Sequence, residues 1–220
     1  MSTNNNALVL LSGGLDSFIA LDIVSKKYNI IYAINFNYGQ KAFKEEYIAS
    51  EKIAKKYNIE LKTLELPYLK ELCNNALTDP NNNSLDEFSE VWIPNRNGLF
   101  LNIAASYCDK LNIKYIIMGL NLEEAQKFPD NSEEFIKTAN QFFKYSTLVQ
   151  PEILAPCKNM SKVDIINYAI DNKLDLKLIK SCYNSLKNTS KKHCLECMSC
   201  KLLYNAVRQS KNPDLVKELF

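Results

Sequence analysis

Apolar positions along the chain follow two alternating rhythms. Ala7–Leu11 is an unbroken apolar run, the pattern of a strand buried on both faces. Ser17–Lys27 follows with Phe18, Ala20, Leu21 and Val24 at helical spacing. Ile30–Phe36 predicts a second buried strand, and Phe43–Tyr57 an amphipathic helix carrying Phe43, Tyr47, Ile53, Ala54 and Tyr57. Glu60–Leu66 alternates Leu61, Thr63 and Glu65 against Lys62, Leu64 and Leu66, so it predicts a third strand. Pro67–Asn97 has no clear period and contains the run Asn81–Asn83; it reads as a mobile loop or cap. Leu99, Phe100, Ile103, Ala104, Tyr107 and Leu111 then mark a strong helix, and Lys114–Gly119 a further strand ending on glycine. Ser132–Tyr145 and Ser161–Ile170 predict helices, with Ser132 as N-cap and Ser161/Asp164 spaced like a capping box.

Strands alternating with helices imply an α/β fold whose parallel sheet is covered on both faces. Right-handed crossovers put every strand's C-terminal end on one edge, and ligands bind there at the topological switch point. After about Lys180 the character of the chain changes. The expected organisation is an α/β domain over 1–180 and a C-terminal subdomain over 181–220.

Composition narrows the class. Hydrophobic residues make up 46% of the 220 and charged residues 24%, an ordinary globular mixture. The formal net charge of +2 gives no argument for a nucleic-acid or membrane partner. No stretch approaches the roughly 18 apolar residues of a membrane span, and the polar start Met1–Asn6 lacks a secretory pattern. A cytoplasmic protein is expected. Only five glycines are present, so each is expected to answer a backbone need.

The first strand runs directly into Ser12-Gly13-Gly14-Leu15-Asp16-Ser17 and then a helix. Paired glycines allow a sharp turn and leave backbone amides open to a phosphate. The helix start adds unsatisfied N–H groups and partial positive charge. Ser12 and Ser17 can donate hydroxyl hydrogen bonds; Asp16 would orient the loop, cap the helix or hold Mg²⁺. A tight turn capped by serines is the plainer alternative. The string is neither the Walker loop nor the dinucleotide fingerprint, because it lacks their lysine and third glycine. It resembles the PP-loop of ATP pyrophosphatases, which activate a carbonyl or carboxyl oxygen by adenylation. The candidate ATP-binding segment is Leu10, Leu11, Ser12, Gly13, Gly14, Leu15, Asp16, Ser17, Phe18, Ile19 and Ala20.

Seven cysteines are present, and four lie between Cys182 and Cys200. Cys194-x2-Cys197-x2-Cys200 supplies three thiols on close spacing. An upstream Cys182 would complete a tetrahedron around Zn²⁺. His193, the one histidine, is the rival fourth ligand, although a solvated neighbour is favoured. An iron–sulfur cluster would want a further cysteine where Tyr204 stands, and a redox dithiol would need only one pair. Cys73, Cys108 and Cys157 read as ordinary apolar residues.

Three more polar strings fall at expected strand ends: Asn35–Gln40, Ile93–Asn97 and Gly119–Ser132. Each alone could be a turn or cap. Arg96 stands out, since a guanidinium fork suits carboxylate or phosphate. The blocks Ser12–Ser17, Tyr38-Gly39-Gln40, Pro94–Asn97, Phe128-Pro129-Asp130 and Ser181-Cys182-Tyr183, with the downstream cysteines, resemble the 7-cyano-7-deazaguanine synthase (preQ0 synthase) family over nearly the whole chain. Leu195 departs from the family's usual glycine, Asn95 from the glycine of many members, and Glu123-Glu124-Ala125 looks like a sub-branch.

That resemblance implies a five-stranded Rossmann-like sheet of the adenine nucleotide alpha hydrolase type with a zinc-binding helical C-terminal subdomain. It implies an ATP-dependent ligase making a deazapurine nitrile from a carboxylate and ammonia, in queuosine or archaeosine biosynthesis. Ser12–Ser17 would hold phosphates with Mg²⁺, and Arg96 the substrate carboxylate or a phosphate. Asp130 and Glu123 would contact the purine-like ring or handle ammonia. Structural Zn²⁺ would sit on Cys182, Cys194, Cys197 and Cys200. Partners would be small molecules and a second copy in a homodimer, without direct nucleic-acid binding. The rival reading is another PP-loop enzyme, such as a tRNA sulfur-transfer enzyme.

Overall fold

The computed structural model describes residues 5–73, 75–82, 88–185 and 193–220. Met1–Asn4 of the polar start and Asn83 of the asparagine run lie outside the described residues. Five parallel strands, β1 (Asn6–Leu10), β2 (Asn29–Asn37), β3 (Glu60–Glu65), β4 (Tyr115–Ile117) and β5 (Glu152–Leu154), form one sheet in the order β3-β2-β1-β4-β5. The helices are α1 (Leu15–Ser25), α2 (Phe43–Lys56), α3 (Tyr68–Leu72), α4 (Phe88–Val91), α5 (Arg96–Leu111), α6 (Leu122–Ala125), α7 (Glu133–Ser146), α8 (Lys162–Asp171), α9 (Met198–Gln209) and α10 (Val216–Leu219).

The central strand explains the layering. Leu8 pairs with Tyr32 on one side and Ile116 on the other, so β1 has sheet on both edges. Its side chains alternate between faces. Leu8 and Leu10 join Ile34, Leu101, Ala104, Ile136 and Phe143, which places α5 and α7 over one face. Ala7 and Val9 join Phe18, Leu21, Ile53, Ile165 and Ile166, which places α1, α2 and α8 over the other. Leu203, Ala206 and Val207 of α9, and Leu219 beyond it, bury in that second core. The strand order reverses direction between β1 and β4, and the C-terminal ends of both face the switch point.

Local signals explain the helix starts. Ser132 Oγ accepts the Phe135 amide at 3.1 Å, and Ser161 with Asp164 forms the reciprocal capping box. Asp22 on α1 accepts from the hydroxyls of Tyr57 (2.6 Å) and Tyr168 (2.7 Å), tying α1 to the end of α2 and to α8. The segment expected as a loop or cap over Pro67–Asn97 contains α3, α4 and the start of α5, and Leu69, Ala76, Leu77, Val91 and Ile93 bury against the Phe36 side of the core. Among the described residues, no helix is long and apolar enough to cross a membrane.

One close approach fixes the switch point. A Cβ on Gly119, just beyond β4, would lie 2.4 Å from the Ser17 amide nitrogen and 2.6 Å from its Cα. Both are backbone atoms, so a methyl must push β4 and α1 apart. Gly119→Ala is expected to cost roughly 2 kcal/mol and to lower the thermal midpoint by about 4–8 °C, read by calorimetry. An unchanged midpoint would contradict this packing.

Candidate active site and metal centre

The turn after β1 owes its shape to Gly13, whose φ is +79°. A Cβ there would also sit 2.5 Å from the Glu46 carbonyl oxygen, so α2 packs directly on the loop. The Gly13 carbonyl accepts the Lys180 amide at 2.8 Å. Gly14 is the extended N-cap of α1 and offers no side-chain cap, which leaves the first-turn amides open. Ser12 Oγ lies 3.1 Å from Ser17 Oγ and accepts the Gly14 amide at 3.3 Å, while Ser17 Oγ donates to the Gly14 carbonyl at 3.1 Å. Hydroxyls, open amides and the helix dipole converge on one anion site.

Asp16 stands in the first turn of α1 with one carboxylate oxygen hydrogen-bonded to Lys162 Nζ. Its other oxygen, Oδ1, is buried without a hydrogen bond of ordinary geometry among the described residues, although the Asn121 side chain lies close enough to act on the carboxylate. Glu124 Oε1 takes the same ammonium at 3.3 Å. Burial raises the Asp16 pKa above the ordinary carboxylate value against the pull of Lys162. At Glu124 burial also opposes ionisation, but the charge of Lys162 prevails and holds its pKa low. Two acids thus share one ammonium, and Lys162 stays protonated between them. An unsatisfied carboxylate oxygen beside a phosphate site fits a hard cation bound through oxygen.

These groups line a cleft of about 250 Å³ over the C-terminal edge of the sheet. Of the sequence-selected residues, Leu10, Leu11, Ser12, Gly14, Leu15, Asp16, Ser17, Arg96 and Asp130 line it. Phe18, Ile19 and Ala20 are fully buried in the core behind. Arg96 opens α5 and donates to the Tyr38 hydroxyl at 3.4 Å. Asp130 is buried; desolvation raises its pKa against the attraction of Arg96. Its carboxylate accepts from Asn131 Nδ2 at 2.9 Å, and its carbonyl from Asn97 Nδ2 at 3.2 Å. Trp92 and Phe128 stack with centroids 5.6 Å apart and form an aromatic wall. Glu123 does not line the cleft: both its carboxylate oxygens accept the Lys162 amide, at 3.0 and 3.2 Å. Its neighbour Glu124 takes the cleft position.

Sequence reasoning missed Glu46, Lys162, Lys180 and Trp92, all lining the cleft. Lys162 had a signal, because it follows the capping serine of a helix that starts at a strand edge. Glu46 had none, since Lys44-Glu45-Glu46 reads as a solvated helix face.

The thiols of Cys182, Cys194, Cys197 and Cys200 all lie within 4.8 Å of one another, with the Cys194 and Cys200 sulfurs 3.8 Å apart. Tetrahedral coordination with bonds of about 2.3 Å separates sulfurs by roughly 3.8 Å, so the tetrad fits one metal ion. The Glu196 and Cys197 amides donate to Cys194 Sγ at 3.4 and 3.3 Å, completing a knuckle. His193 is not solvated, contrary to expectation. It is fully buried, its Nδ1 lies 2.7 Å from the Leu219 carbonyl oxygen, and Nε2 accepts the Ser181 amide at 3.3 Å. Both ring nitrogens are engaged, leaving no lone pair for a metal. Cys108 and Cys157 lie in the two cores, where burial pushes each thiol up to about 12. Leu195 in the knuckle has φ +63°, and Asn95 ahead of α5 has φ +56°, both in the left-handed region that glycine adopts without strain.

A doubly wound parallel sheet with a phosphate loop at its switch point defines the class, a PP-loop nucleotide-binding α/β protein. The chain belongs to the QueC family: the family model described as queuosine biosynthesis protein QueC matches residues 6–211. It is 39% identical to a 7-cyano-7-deazaguanine synthase of Carboxydothermus hydrogenoformans over 91% of this chain and 97% of the relative. It is 38% identical to the synthase of that name from Bdellovibrio bacteriovorus over 100% of this chain and 99% of the relative. Solved structures share the fold. A U34-tRNA thiolase NcsA from Methanococcus maripaludis has TM-score 0.52 at 17% identity, covering 94% of this chain and 68% of that one. An NMN synthetase from Francisella tularensis has TM-score 0.51 at 14% identity, covering 100% and 79%.

Cys197→Ala is expected to abolish stoichiometric metal binding and lower the thermal midpoint by more than about 5 °C, measured by elemental analysis and calorimetry. Retained metal with a normal midpoint would refute the tetrad. Leu195→Gly relieves a left-handed backbone strain of about 1 kcal/mol and is expected to raise the midpoint by roughly 2–4 °C.

Proposed function

We propose that this chain converts 7-carboxy-7-deazaguanine, ATP and ammonia to 7-cyano-7-deazaguanine through adenylated intermediates. The observation that carries the reading is one cleft in which an ATP phosphate loop, the Arg96 guanidinium and a stacked aromatic wall face the same space. The relatives bearing that enzyme name support it.

Ser12–Ser17 and the α1 amides bind the phosphates. Asp16 and Glu124 would hold Mg²⁺, which would neutralise phosphate charge. Lys162 balances both carboxylates and keeps the loop's acid from repelling ATP. Arg96 at the start of α5 takes the substrate carboxylate, oriented by Tyr38. The stacked Trp92–Phe128 pair flanks the deazapurine, and Asp130 accepts its ring N–H groups. Glu123 acts through Lys162, fixing the start of α8. Positioning and charge stabilisation supply most of the rate. Cys182, Cys194, Cys197 and Cys200 would hold Zn²⁺ in a structural role, tying the C-terminal segment together. The protein works in the cytoplasm as a homodimer on small molecules. A sulfur-transfer enzyme would want a cysteine in the cleft, and no cysteine lines it among the described residues.

Incubating the protein with ATP, Mg²⁺, ammonium and 7-carboxy-7-deazaguanine is expected to yield the nitrile by mass spectrometry. No nitrile from an ATP-binding preparation would overturn the assignment. Arg96→Lys loses the planar fork and is expected to raise the KM for the deazapurine at least ~10-fold with little change for ATP.

A further inference from the structure

Glu46 is a cleft acid for which neither phosphate binding nor ring recognition accounts. It lies in the first turn of α2, whose backbone packs on Gly13 of the phosphate loop. One carboxylate oxygen accepts from Gln40 Nε2 at 3.0 Å. Gln40 is buried and fully committed: Nε2 also donates to the Phe36 carbonyl at 3.0 Å, and Oε1 accepts the Tyr38 amide at 2.9 Å. The side chain that orients Glu46 is therefore itself fixed by the end of β2. Arg96 from α5 and Lys180 beside the loop act on the carboxylate from other elements, as does Glu45 on its own helix. Tyr38 feels its charge. The carboxylate is thus held in the cleft between the phosphate loop and Arg96.

We propose that Glu46 is the catalytic base that receives ammonium and takes its proton, so that free ammonia is released beside the activated acyl carbon. The inference rests on the function proposed above. Ammonium transfers one proton to the Glu46 carboxylate. The freed lone pair forms the C–N bond while the C–O bond to AMP breaks, its electron pair staying on the phosphate oxygen. The second proton leaves the new amide nitrogen to solvent, and Glu46 releases its own proton to solvent to reset. Burial pushes the carboxyl up to about 7, against the pull of Gln40, Arg96 and Lys180. A base poised near the working pH transfers protons best. The basic form exists above that value, so kcat/KM for ammonium should rise with pH up to about 7 and then flatten.

The test uses Glu46→Gln in the full-length, metal-loaded protein with ATP, Mg²⁺ and 7-carboxy-7-deazaguanine. Two nucleophiles are compared: ammonium chloride and hydroxylamine, which is largely unprotonated at neutral pH and needs no such base. The variant is expected to lose ~100-fold or more in kcat/KM for ammonium at neutral pH. It should keep hydroxamate formation within a few-fold of the parent, and unchanged ATP affinity. Its ammonium rate should climb with pH without the plateau. An equal loss with both nucleophiles would overturn the base role and make Glu46 a substrate- or loop-positioning residue. An unimpaired ammonium rate would overturn it as well. Failure of the parent protein to form either product would instead overturn the function on which the inference rests.

Discussion

The structure depends on the contact between the end of β4 and the start of α1. Gly119 brings one backbone against another, with Ser17 N and Cα where a side chain would be. That contact sets the width of the crevice between the diverging halves of the sheet. On one side of it stands the phosphate loop, closed by the Gly13 turn and pressed by α2. On the other run α6 and the residues leading to Asp130, which bring Glu124 and Phe128 to the same rim. Had the two strands stood farther apart, Lys162 could not bridge Asp16 and Glu124.

The cleft mixes both signs of charge in a chain whose net charge is only +2. Lys162, Lys180 and Arg96 face Asp16, Glu46, Glu124 and Asp130 around one cavity. Such an arrangement suits a substrate set that is itself mixed in sign: polyanionic nucleotide, carboxylate and ammonium. Partial burial strengthens each interaction relative to water, and every acid has a cation or donor in reach, so none is an isolated buried charge.

Strands β1 to β4, the phosphate loop and the thiol tetrad were legible because local spacing encodes them. A continuous apolar run must be buried on both faces, a glycine pair must turn, and close cysteines share one knuckle. The three-residue β5 was not located, since Glu152–Leu154 is too short to show a period. The packing of 67–73, 75–82 and 88–97 was invisible for a different reason: its apolar residues serve a tertiary surface and follow no helix or strand rhythm. His193 misled because its neighbours in sequence are polar, whereas its burial comes from the returning C-terminus at Leu219. Glu46 and Lys162 look like helix-surface charges in one dimension, and only the crossing of α2 and α8 over the sheet edge turns them inward.

The thiol knuckle reaches further than the stability of its own segment. Cys182 sits between Ser181 and Tyr183, and Ser199 lies between Cys197 and Cys200; all three neighbours line the cleft. Coordinate bonds to a bound ion, far stiffer than van der Waals packing, would therefore anchor one wall of the cleft. Wall and ion would then form a single mechanical part, with dimensions set by an ionic radius. An ion of larger radius would spread the sulfurs and shift that wall, so the choice of metal would also be a choice of cleft geometry.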